Sequence, residues 1–140
     1  MRQILLFAAL AASLALLSGC ALSRAKEDKA EDMTGKAAYH KISAEEAYEM
    51  MASQEVVVVD VRTQEEYDGG HIENAVLVPN ESIVSEMPEA LPDKEATLLV
   101  YCRSGRRSKD AAEKLLKLGY QSVYDFGGII DWPYELVKEG

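Results

Sequence analysis

Tyr101 to Ser108 reads YCRSGRRS, which sets Cys102 beside three arginines, Arg103, Arg106 and Arg107, with no acidic residue among them. The chain as a whole carries a formal charge of −9, so this local positive cluster stands against its background and suits an anionic ligand. A free thiol titrates near ~8.5, and the thiolate is the nucleophile. Lowering the midpoint to about 7 takes roughly 1.5 units, or ~2 kcal/mol at ~1.36 kcal/mol per unit. A helix N-terminus contributes ~0.3 to 1 kcal/mol, so the arginines and converging backbone N–H groups are expected to supply the rest. Cys102 is the candidate nucleophile, and Arg103, Ser104, Gly105, Arg106 and Arg107 are the candidate anion-binding loop. Gly105 lets the backbone come close to an anion.

Such a loop requires a strand that ends at Cys102 and a helix that starts soon after. Thr97 to Tyr101 reads as the strand. Ser108 to Gly119, SKDAAEKLLKLG, reads as an amphipathic helix with apolar residues at Ala111, Ala112, Leu115, Leu116 and Leu118 and a glycine stop. The N–H groups between them can curl around an anion at the helix N-terminus. Upstream, Ser43 with Glu46 forms a capping box over a short helix. Val56 to Val61, VVVVDV, is β-branched and apolar on both sides, the pattern of a strand buried on both faces of a parallel sheet. Thr63 with Glu66 repeats the cap over TQEEY, and Gly69, Gly70 and His71 end that helix. Ala75 to Val78 and Ser122 to Tyr124 read as two further strands. The alternation predicts an α/β domain, a mostly parallel sheet flanked by helices on both faces. Ligands bind such sheets beyond the carboxyl ends of the strands, where Asp60, Arg62 and Cys102 all fall.

The N-terminal residues serve another purpose. Ile4 to Leu17 carries no charge. It is short of the ~20 apolar residues of a membrane span but fits the ~7 to 15 of a signal core. The following LLSGC resembles a bacterial lipobox. That resemblance implies a lipoprotein signal over residues 1–19, lipidation at Cys20, and a membrane-anchored extracytoplasmic protein of the cell envelope. Residues 20–38 are charged, alanine-rich and without aromatics, and read as a flexible tether. Residues 39–140 are then the folded domain.

Other functions are disfavoured by composition. An acidic chain without a basic face is a poor partner for nucleic acid. The two cysteines, Cys20 and Cys102, and two histidines match no usual zinc spacing, so neither metal nor cofactor is expected.

Three segments, DVRTQEEYDGGHIENAVLVP, YCRSGRRS and GGIIDW, occur in this order within residues 40–137 and together resemble a single-domain rhodanese, a sulfurtransferase. The resemblance implies that Cys102 takes the outer sulfur of a small anionic donor such as thiosulfate, holds it as a persulfide, and passes it to cyanide or a thiol, a protein acceptor included. It also implies a six-residue loop, Cys102 to Arg107. Related phosphatases and arsenate reductases carry five residues between cysteine and arginine; here the sixth position after Cys102 is Ser108, so a sulfur-sized pocket is expected. Asp60 and Arg62 are assigned a bracing role, with Arg62 expected to pair with Glu65 or Glu66. His71 reads as a structural histidine in a turn with a supporting role, and Trp132 as core or pocket wall. A carrier or docking module that keeps the cysteine but lacks small-molecule turnover is the alternative from another class.

Overall fold

The computed structural model describes residues 37–139. The apolar run, Cys20 and the tether up to residue 36 lie outside the described residues.

Side chains along Thr97–Cys102 (β4) alternate between the two faces of the sheet, as period two requires. Leu98, Val100 and Cys102 enter one apolar cluster, whereas Leu99 and Tyr101 enter another. A strand with two buried faces must be central, and β4 is: the sheet order is β1-β5-β4-β2-β3, with β1 at Ala38–Lys41, β2 at Val57–Asp60, β3 at Val76–Leu77 and β5 at Ser122–Gly128. All four pairings are parallel. Helix α3 (Arg106–Lys117) covers the first face with Ala111, Ala112 and Leu115. Helices α1 (Ala44–Ser53) and α2 (Gln64–Asp68) bring Ala47 and Tyr67 to the second. The expected α/β architecture, a parallel sheet with helices on both faces, is what forms.

Both anticipated capping boxes are present. The Ser43 hydroxyl accepts from Glu46 N–H while Glu46 accepts from Ser43 N–H, and Thr63 and Glu66 do the same for α2. Three differences from the sequence reading bear on the site; elsewhere strand ends shift by a residue. The edge strand β1 was not anticipated and begins at Ala38, the last residue assigned to the tether; its four residues are only half buried in alternation and give little signal. Strand β5 runs four residues beyond Tyr124 because Phe126 bulges out of register, so that Val100 faces Asp125 and Tyr101 faces Gly127. Helix α3 begins at Arg106 rather than Ser108. Gly105, at φ 102, turns the chain into the helix at once, a conformation that costs other L-residues ~1 to 2 kcal/mol.

Candidate active site

Cys102 is the last residue of β4, on the face covered by α3, and is 1% exposed. The tight turn at Gly105 folds the loop back so that the Gly105 N–H donates to Cys102 Sγ at 3.0 Å. No side chain caps α3, which leaves its first N–H groups available to the sulfur. Burial pushes the thiol up, but the Ser108, Gly105 and Ser104 N–H groups and the Ser108 hydroxyl outweigh burial and leave the thiol below its ordinary value. Converging hydrogen bonds to the charged form are thus the leading stabilisers.

This corrects the expected role of the arginines. Arg107 senses the charge on Cys102, yet its guanidinium is bound in two-pronged fashion to Glu66, at 2.7 and 2.8 Å. That pair ties the start of α3 to α2. Arg103 and Arg106 are exposed and form no ion pair with another described residue. The two are the cations available to an incoming anion, and Arg103 lines the groove beside the loop.

The GGII segment has a steric purpose. A Cβ on Gly128 would lie 2.6 Å from Ser104 Cα and 2.8 Å from the Arg103 carbonyl carbon, and still closer to the Arg103 oxygen. The next turn returns an Ile130 N–H to that oxygen at 3.3 Å. The active loop therefore rests directly on the end of β5.

Asp60 and Arg62 lie on the opposite face of the sheet, because Val59 and Val61 between them take the α3 face. Arg62 does not pair with Glu65 or Glu66. Its Nε and Nη2 bind Asp60 at 2.6 to 3.0 Å, and Nη2 also donates to Gly70 O at 2.8 Å. Two residues of strand spacing keep Asp60 and Arg62 on one side, and Glu66 is already engaged by its cap and Arg107. The Tyr101 hydroxyl completes this buried cluster, donating to Asp60 Oδ2 at 2.6 Å and accepting from Ile72 N–H at 3.1 Å. His71 stacks on Tyr67 with ring centroids 3.6 Å apart, its Nδ1 lies 2.9 Å from Tyr67 O, and its backbone bridges to Val137. Its contacts hold the turn between α2 and β3.

Arg62, Glu65, Glu66, Arg103, Ile130 and Leu136 border a groove of about 330 Å³ beside the loop. A larger groove, about 720 Å³, lies against α1. It is walled by Tyr48, Trp132 and Tyr134, with Trp132 packed on Phe126 at 5.6 Å, and none of the candidate site residues lines it. Among the described residues no group of three potential ligands could hold a metal ion, and no helix is long and apolar enough to cross a membrane. Sequence reasoning passed over Asp125, a 1% exposed carboxylate in a strand read as ending at Tyr124.

The family model of the rhodanese-like domain matches residues 43–133. Among curated proteins, the tRNA uridine(34) hydroxylase of Yersinia pestis is 32% identical over 106 residues, 72% of this chain and 30% of the relative. The chain thus spans less than a third of the curated relatives it matches. A rhodanese-related protein from Thermoplasma volcanium is 31% identical, covers 72% of this chain and 100% of its own, and superposes with a TM-score of 0.62. A rhodanese with anions from E. coli is 35% identical over 61% of this chain and 100% of its own, with a TM-score of 0.56. A human single-domain sulfurtransferase is 25% identical over 66% of this chain and 93% of its own, with a TM-score of 0.59.

Proposed function

The chain belongs to the rhodanese-like family, and from that membership we propose that it moves sulfane sulfur through a persulfide on Cys102, with thiosulfate as donor. The observation that carries the reading is the six-residue cradle: a buried sulfur at a strand end, with the Gly105 N–H 3.0 Å away and the neighbouring N–H groups favouring its charged form.

In the first step the Cys102 thiolate attacks the outer sulfur of thiosulfate; an S–S bond forms, the bond to the sulfonate sulfur breaks, and sulfite leaves with the electron pair. In the second, cyanide or a thiolate attacks the outer sulfur of the persulfide and the Cys102 thiolate returns. This is covalent catalysis by two substitutions with no external oxidant or reductant. Arg103 and Arg106, unpaired among the described residues, draw the dianionic donor to the mouth. Arg107 instead holds the loop onto α2 through Glu66. Phosphoryl or arsenate chemistry is the second reading, disfavoured because Ser108 occupies the seventh loop position and lies fully buried behind the sulfur. The hydroxylase activity named for the longer relatives is not carried over, since this chain spans 30% of them. The lipobox-like LLSGC supports a lipid on Cys20 that tethers the domain to the outer face of a bacterial membrane.

The test is steady-state thiocyanate formation from thiosulfate and cyanide, with dithiol acceptors in parallel. Turnover that Cys102→Ser abolishes is expected. A protein that accepts one sulfur but never turns over would instead be a carrier.

A further inference from the structure

The Ser108 side chain is fully buried behind Cys102 and has more acceptors than protons. Its hydroxyl lies 2.7 Å from Asp125 Oδ1, 3.0 Å from Gly105 O and 3.4 Å from Gly127 O, within the loop whose Gly105 N–H donates to Cys102 Sγ at 3.0 Å, and it favours the charged form of that sulfur. A serine hydroxyl donates one hydrogen bond at a time. The shortest of these contacts is to Asp125, so the carboxylate is the acceptor of the hydroxyl in the geometry observed.

Asp125 can lose that hydrogen bond without being left bare. Oδ1 also accepts from the Gly127 N–H at 2.9 Å. Oδ2 accepts from the Tyr39 hydroxyl at 2.7 Å and pairs with Lys41 Nζ at 3.3 Å. A buried carboxylate with a single donor could not afford to lose it. With three others it can. Tyr39 and Lys41 both come from β1, so the edge strand reaches the sulfur through Asp125 and Ser108.

We propose that Ser108 is a positioning residue for Cys102, its hydroxyl held on Asp125 while the sulfur is a neutral thiol and turned onto Sγ when the sulfur is a thiolate. The thiol proton goes to water; Ser108 keeps its own and changes only its acceptor. The inference rests on Cys102 being the nucleophile of the proposed function. Other charges near the sulfur are Arg103, Arg106 and Arg107 from the loop and α3, Glu66 from α2 and Glu81 near Arg107. Asp125 and Lys41 contribute from β5 and β1. Substituting the neutral Ser108 leaves all of these in place.

The test is the pH profile of Cys102 alkylation by iodoacetamide in the full chain, followed on the Cys102 peptide by mass. Ser108→Ala should raise the midpoint by about one unit, a roughly tenfold loss of thiolate below it, as expected for a lost hydrogen bond to a charged group. Ser108→Thr, which keeps the hydroxyl, should restore most of the shift. Asp125→Asn should lower the midpoint, because an amide competes less for the hydroxyl and a negative charge is gone. In the Ser108→Ala background the Asp125→Asn shift should shrink by about half or more, the signature of coupling. An unchanged midpoint in Ser108→Ala overturns the proposal, as does an Asp125→Asn shift that persists undiminished without the hydroxyl. Should Ser108→Ala fail to fold, a raised or unmoved midpoint in Asp125→Asn does the same. Alkylation requires no sulfur donor, so a protein that shows these shifts but accepts no sulfur from thiosulfate refutes the proposed function and leaves this inference standing.

Discussion

Gly128→Ala is the most informative single change for the link between fold and site. A methyl group there would stand 2.6 Å from Ser104 Cα and 2.8 Å from the Arg103 carbonyl carbon, and both are backbone atoms of the active loop. Neither can swing aside as a side chain would, so either the loop or the end of β5 must move. Overpacking of this kind costs ~1 to 3 kcal/mol, and contacts this short place Gly128→Ala near the top of that range, at about 3 kcal/mol. A domain of about 100 residues loses roughly 4 to 8 °C per kcal/mol, so the melting temperature should fall by roughly 12 to 24 °C. The displaced loop carries the Ser104 and Gly105 N–H groups that favour the thiolate. Alkylation of Cys102 at neutral pH should therefore slow at temperatures where the variant is still folded. Gly69→Ala is the control. There a Cβ would come no nearer than 3.4 Å to Glu65 O, and φ is −68, so the effect should stay within ~1 kcal/mol. A Gly128→Ala protein that melts with the wild type and alkylates at its rate would refute the claim that β5 supports the loop.

Arg107, more than its other contacts, holds the Glu66 carboxyl down to about 2. Because the folded value is depressed, the stabilisation is complete above the ordinary value of 4.5 and is lost as pH falls through that window towards 2. Glu66→Gln should lower stability at neutral pH by ~1 to 2 kcal/mol and flatten the decline between those pH values in denaturant titrations; parallel pH curves for both proteins would contradict the pairing. Tyr101→Phe leaves the buried Ile72 N–H without its acceptor and removes one of the donors to Asp60, which keeps those of Arg62. It should cost ~2 kcal/mol, and a loss below about 0.5 kcal/mol in the same measurement would show that water or a neighbour replaces the hydroxyl.

The parts of this protein that were legible in sequence are those written in local patterns. Ser43 with Glu46 and Thr63 with Glu66 announce their helices three residues apart, and VVVVDV announces a strand covered on both sides. Cys102 stands out because its loop residues are contiguous. What was not legible depends on partners far away in the chain. Arg62 has acidic residues close by on either side, and only strand parity decides that Asp60, not Glu65 or Glu66, receives it. Arg107 reads as free charge until the fold brings Glu66 across from α2. The N–H groups that stabilise the sulfur have no sequence signature apart from the glycine that lets them converge. Asp125 was passed over because the strand was read as ending at Tyr124; the alternation that sets Val123 against α3 continues two residues further and carries Asp125 onto the same buried face.

The central claim is that Cys102 carries the transferred sulfur, and mass measurement tests it most directly. Reduced protein with Cys20→Ser, in which Cys102 is the one remaining thiol, would be weighed intact before and after thiosulfate and again after cyanide. The account predicts a gain of one sulfur atom, its removal by cyanide, and no gain at all once Cys102→Ser is added. No gain in the reduced, folded protein, or a gain that survives Cys102→Ser, would contradict it.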